Sequence, residues 1–154
     1  MSLFVGTYEY VLDEKGRVNV PIKLRELLPE GKKTLATVKW FNGCLAMFPV
    51  ADMEEFARRL QDDRFQASEE GRLFRHMLLA GASVEKPDSQ GRIPLNEIQL
   101  RHAGLTRKEK VVIFGNLERI EIWNPERLEQ RFAQAEKDSH TLESLASTVF
   151  SPQG

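Results

Sequence analysis

The pentapeptide Asp13-Glu14-Lys15-Gly16-Arg17 returns 75 residues later as Asp88-Ser89-Gln90-Gly91-Arg92. Both copies read Asp-x-x-Gly-Arg, and both run into a β-branched residue and then a proline: Val18-Asn19-Val20-Pro21 and Ile93-Pro94. Two copies in equivalent settings mark a duplicated chain with the same corner in each half. An aspartate opening a turn accepts backbone N–H groups, and glycine supplies positive φ without steric cost. The motif is thus a tight turn between two strands, shaped by Asp13, Gly16, Asp88 and Gly91. Such a turn has no need of Lys15, Arg17 or Arg92. Basic side chains fixed on a rigid turn suit phosphate oxygens or guanine edges.

The flanking sequence repeats in the same order. Residues 3–12 are rich in β-branched and aromatic types and predict a strand into the first turn. Pro21 suits the first turn of a helix carrying Ile22, Leu24, Leu27 and Leu28. Thr34–Phe41 and Cys44–Phe48 predict a hairpin around Asn42-Gly43, whose type I′ turn wants positive φ at both places. Asp52-Met53-Glu54-Glu55 resembles a capping box, and Ser68 caps a further helix with Leu73, Phe74, Met77 and Leu78 inward. The second half offers a strand at 82–86, a helix opened by Pro94, and a hairpin of Val111–Phe114 and Arg119–Trp123 turning at Gly115-Asn116. A helix with Leu128, Phe132 and Ala135 follows. In the tail, Leu142, Leu145, Ala146 and Val149 sit at helical spacing.

These patterns predict an α+β fold. An intramolecular duplication of a β-turn-β-α-hairpin unit forms a small, β-barrel-like core with helices outside. The divisions expected are 1–81 for the first repeat with two following helices, 82–137 for the second, and 138–154 for the tail. Neither half holds a large core alone, so the two should interlock about a pseudo-twofold axis.

Chemistry is sparse. His76, His102 and His140 are scattered, the chain has one cysteine (Cys44), and no phosphate-binding or dinucleotide glycine pattern occurs. The carboxylates of 54–70 lie among arginines on helix surfaces and read as solvated faces. The sequence therefore predicts no catalytic residue, no metal site and no cofactor, and a binding protein fits better than an enzyme. No apolar run is long enough to span a membrane, which predicts a cytoplasmic protein. The net charge of -1 excludes coating nucleic acid by bulk charge, but not a local patch. In sequence order Lys15, Arg17, Lys23 and Arg25 gather around the first turn, while Gln90 replaces the lysine of the second, so the first half is expected to be the better anion-binding face. One such face is small for specific DNA binding, and a symmetric oligomer would multiply it.

The two Asp-x-x-Gly-Arg turns, Leu24-Arg25-Glu26-Leu27, Leu100-Arg101-His102-Ala103-Gly104-Leu105 and Ile120-Glu121-Ile122-Trp123 resemble the MraZ family, over nearly the whole chain. That resemblance implies two swapped-hairpin repeats of SpoVT/AbrB type. It also implies a transcriptional repressor binding double-stranded DNA at the promoter of its own division and cell-wall operon, through repeated G-rich boxes. A ring-shaped homo-oligomer associated with the nucleoid is implied as well. The family signature carries DNA contact onto Lys15 and Arg17, and in the second copy onto Arg92. The alternative is a non-enzymatic, oligomeric protein-interaction scaffold whose basic turns serve subunit packing.

Overall fold

The structure, a computed structural model, describes residues 3–151 and forms two compact units divided between Asn124 and Pro125. In the first unit, β1 (Phe4–Val11), the turn and β2 (Arg17–Asn19) lead into the short helix α1 (Ile22–Arg25). The hairpin β3 (Leu35–Lys39) and β4 (Leu45–Pro49) follows, then α2 (Met53–Leu60), α3 (Asp63–Ala67) and α4 (Glu69–Leu79). The second half supplies β5 (Ser83–Glu85), the second turn, β6 (Arg92–Pro94), α5 (Glu97–Ala103), β7 (Lys110–Leu117) and β8 (Arg119–Trp123). The second unit consists of α6 (Pro125–Lys137) and α7 (Ser139–Phe150).

The strands on either side of each turn do not pair with one another. β1 pairs along its whole length with β7, from Phe4 opposite Leu117 to Val11 opposite Lys110. β5, which enters the second turn, pairs with β3 of the first half. β2 and β6, which leave the two turns, pair together. The result is a six-stranded antiparallel sheet ordered β1-β7-β8-β4-β3-β5 and a two-stranded ribbon β2-β6. The sheet order is unchanged when the halves are exchanged. A shift of 75 residues maps Val18 onto Ile93 and Ala46 onto Glu121, and in each case the two residues face one another. A pseudo-twofold axis therefore passes through both pairs, as the duplication predicts.

Burial explains the exchange. Phe4, Leu12, Val18, Leu24, Ile93 and Ile113 join one core with at most 1% of their surface exposed. These residues come from both halves. Each is worth about 1.5–3 kcal/mol when buried, a gain that neither half would collect alone. A smaller cluster, Val38, Ala46 and Phe48, packs with Trp40 and Met53. Phe56 extends it, its ring tilted 32° against Phe48 at 5.3 Å between ring centres.

The axis also shows where the copies have diverged. Ala46 is a plain core alanine, whereas Glu121 is a buried carboxylate. Glu121 accepts Trp123 Nε1 at 2.8 Å, Arg119 Nε at 2.8 Å and Asn116 Nδ2 at 2.9 Å, and the Arg119 guanidinium lies 5.1 Å from the Trp40 ring centre. Leu24 of α1 corresponds to Gln99 of α5, which is fully buried. The Gln99 amide donates to Ser83 Oγ, Gly81 O and Thr37 O at 2.9, 3.0 and 3.3 Å, and its oxygen accepts the Asn96 N–H.

Five local expectations are corrected. Pro94 does not open a helix; it is the last residue of β6, opposite Arg17, and α5 is started two residues later by a capping box of Asn96 and Gln99. The 75-residue shift in fact aligns Pro21 with Asn96. Gly115-Asn116 is not a turn, because β1 offers eight residues to pair with and carries β7 on to Leu117, whose positive φ makes the reversal. Asp52 makes no side-chain cap, and α3 is an extra helix, capped by Asp62 accepting the Arg64 N–H. Leu73 and Met77 are exposed, since α4 turns only Leu78 fully inward. Asn42 and Gly43 do take positive φ, but the Trp40–Cys44 pair closes a loop of three residues rather than two.

The buried carboxylate gives a direct test. Glu121→Ala strands the Trp123 N–H and takes the partner of Arg119 Nε, leaving that guanidinium only its pair with Glu118, and should cost about 3–5 kcal/mol in urea unfolding. Glu55→Ala, which removes exposed pairs with Arg58 and Arg59, should cost less than about 1 kcal/mol. Equal losses would mean that Glu121 does not hold the axis together.

Candidate nucleic-acid interface

Each turn is organised by its aspartate. Asp13 Oδ1 accepts the backbone N–H of Lys15 at 2.9 Å and of Arg17 at 2.8 Å, and Oδ2 takes Arg17 Nε at 2.6 Å. Asp88 repeats the pattern with Gln90 N, Arg92 N and Arg92 Nε, each at 2.9 Å. Gly16 and Gly91 hold φ of 77° and 81°, a region that costs an L side chain dearly. Burial alone would raise the Asp13 carboxyl, but the N–H and Nε of Arg17 and the N–H of Lys15 outweigh it and hold it below 3.8. The Arg92 N–H leads in lowering Asp88.

The two turns sit at opposite ends of the ribbon. Leu95 N donates to Gly16 O at 3.0 Å and Val20 N to Gly91 O at 2.8 Å, so each turn is stitched to the other half's strand. Side chains alternate along a strand. Val18 and Ile93 face the core, so Arg17, Asn19, Arg92 and Pro94 share the outward face. Arg17 and Arg92 keep 26% and 27% of their side-chain surface exposed. The ribbon thus gathers two of the three predicted basic residues on one face, and Lys15 stands exposed on the first turn beside it.

Sequence order misplaces one further arginine. Arg25 does not serve the first turn. Its Nε donates to Val20 O at 2.8 Å, and its guanidinium lies over the second turn, where a Cβ on Gly91 would come within 2.5 Å of it. Arg107, from the second half, takes the matching place at the first turn, with Nε 3.4 Å from where a Cβ on Gly16 would stand, and pairs with Glu97. Arg25 and Arg107 are not related by the 75-residue shift. No linear pattern links them, and only the exchanged pairing brings them to their turns. Each turn thus has one arginine from elsewhere in the chain beside it, Arg25 at the second and Arg107 at the first.

Among the described residues, no group of three or more His, Cys, Asp or Glu is placed to hold a metal ion, and no helix is long and apolar enough to cross a membrane. The single thiol, Cys44, is buried.

A family model described as "MraZ protein, putative antitoxin-like" matches residues 3–75 and again 78–148. Proteins named Transcriptional regulator MraZ are similar along much of the chain. That of Saccharopolyspora erythraea is 38% identical over 149 residues, covering 96% of this chain and all of its own length. That of Mycobacterium ulcerans is 38% identical, covering 79% of this chain and 81% of its own. That of Corynebacterium efficiens is 38% identical, covering 88% and 96%.

The turn chemistry predicts an acid limb in stability. Both carboxyls titrate below 3.8 when folded, so what they contribute is complete above that value and is lost as pH falls through their folded values. Asp13→Asn with Asp88→Asn should be less stable than the wild type at neutral pH. It should also lose less further stability below about pH 4. Parallel pH profiles in urea melts would contradict the assignment.

Proposed function

The chain belongs to the MraZ family, and on that premise we propose that the outward face of the β2-β6 ribbon, with its two turns, is the surface that meets DNA. A DNA-binding transcriptional regulator is the function the relatives' names support. The observation that carries the site is the ribbon itself: two arginines on one outward face, each held by its own aspartate. A two-stranded ribbon is narrow enough for the major groove. With Nε given to the aspartate, the two Nη groups of Arg17 and Arg92 are presented to a guanine edge or a phosphate. Lys15 neutralises a phosphate. Asp13, Gly16, Asp88 and Gly91 hold the turns and touch nothing. The role is binding, not catalysis.

The finer reading is repression of the chain's own operon promoter for division and cell-wall synthesis, through repeated G-rich boxes, in the cytoplasm and on the nucleoid. In it, residues 1–81 and 82–137 act as the two repeats and 138–154 as a tail. A ring-shaped homo-oligomer would set several ribbons along one duplex. Exposed apolar side chains support assembly: Leu73 and Met77 on α4, and Leu142, Leu145 and Val149 on α7.

A titration of the protein against its own upstream duplex and a scrambled duplex tests this. Arg17→Ala should cost about 1–3 kcal/mol of affinity per engaged site and relax the preference for the upstream duplex. Lys15→Ala should weaken both duplexes alike and lower the salt slope by about 1 per engaged site. Unchanged affinity in both variants, with folded protein of wild-type oligomer mass, would remove the ribbon from the interface. A loss of oligomer mass with no DNA binding by the wild type would favour the scaffold.

A further inference from the structure

A cleft of about 250 Å³ opens between α1 and the approach to the second turn. Its charged lining is Arg25, Glu26, Lys33, Lys86 and Asp88, beside the apolar Ile22, Leu28 and Pro87. We propose that this cleft binds a phosphate group, and that the phosphate is supplied by the DNA backbone, which gives the second turn a grip on the duplex beside that of Arg92. The inference rests on the DNA-binding reading for its source of phosphate, but the cleft stands on its own geometry.

The three cations come from three places in the chain and are fixed to different degrees. Arg25 is pinned through Nε to Val20 O and lies flat over Gly91. Lys33 Nζ lies 3.4 Å from Leu28 O and 3.5 Å from Arg25 O, at the end of α1, where a positive charge is favourable. Its only carboxylate among the described residues is Glu30, 3.7 Å away and itself 96% exposed. Lys86 is exposed and, among the described residues, pairs with no carboxylate. It stands just before Pro87, whose ring limits the backbone there.

The acidic groups do little to oppose an anion. Asp88 is already committed to Arg92 Nε and to two backbone N–H groups. Of the carboxylates lining the cleft, that leaves Glu26 against three cations, with Glu30 reaching Lys33 from outside it. A guanidinium and two ammonium groups around one opening match a tetrahedral anion with several acceptor oxygens. The volume leaves room for that anion and several waters, each about 30 Å³ in the liquid. The placement supplies the source. Duplex DNA carries one phosphate per about 1.7 Å of axis, counting both strands. A groove that admits the ribbon therefore brings phosphates past any cation bordering a turn. Gln90 stands where the first turn has Lys15, so on the second turn the phosphate grip passes from the turn itself to the cleft beside it.

The test uses the full chain in titrations against the upstream and scrambled duplexes over a salt series, with a separate thermal melt in inorganic phosphate. Lys86→Ala should weaken both duplexes in the same proportion and reduce the slope of log affinity against log salt by about 0.9 per engaged chain. Lys86→Arg should restore it, and Arg64→Ala, a cation on α3, should leave it unchanged. An unaltered slope in Lys86→Ala, with no stabilisation of the wild type by inorganic phosphate beyond that of the variant, overturns the proposal. An unaltered slope with phosphate stabilisation that Lys86→Ala abolishes keeps the phosphate cleft and overturns DNA as its source. A wild type that binds neither duplex refutes the DNA-binding reading instead, and the phosphate melt then decides the cleft alone.

Discussion

Each half of this chain completes the other, because the strand that enters each turn finds its hydrogen-bonding partner across the duplication. β1 lies on β7 and β5 on β3, while β2 and β6 pair as a separate ribbon between the turns. Separated, each half would leave the two strands flanking its turn without a partner and split a core that draws on both. The pseudo-twofold axis through Val18–Ile93 and Ala46–Glu121 is the geometric record of that dependence.

The same exchange builds the surface. Turning Val18 and Ile93 inward leaves Arg17 and Arg92 outward on the ribbon, and crossing the halves lays Arg25 over one turn and Arg107 beside the other. The aspartates do two jobs with one carboxylate each: they accept the turn's N–H groups, and they fix the arginine by its Nε. An arginine so held loses little side-chain entropy on meeting a partner, which favours binding. The net charge of -1 is no obstacle, because what matters is where the charges stand.

Much of this could be read from the sequence, and the failures have a common cause. The repeated pentapeptide gave away the duplication, the turns and their shaping residues, because Asp and Gly act through local backbone geometry. The α+β class and the interlock followed from periodicity and from halves too short to stand alone. What the sequence hid was non-local. Pro94 looked like a helix start until its pairing with Arg17 made it a strand residue. Gly115-Asn116 looked like a turn until β1 supplied a partner for them. Arg25 looked like a neighbour of Lys15 and Arg17, its closest basic residues in the chain, yet it lies over Gly91. Glu121, read only as part of a strand end, became a buried hub because Trp123, Arg119 and Asn116 converge on it.

On the proposed reading, one ribbon, carrying both turns, faces the duplex. Amide chemical shifts or hydrogen exchange, followed residue by residue as the upstream duplex is added, test it most directly. With the ribbon on the duplex, changes centre on 13–19 and 88–94 and spare the exposed arginines of α2 and α3. Changes confined to α2–α4, or to the first turn alone, would contradict it.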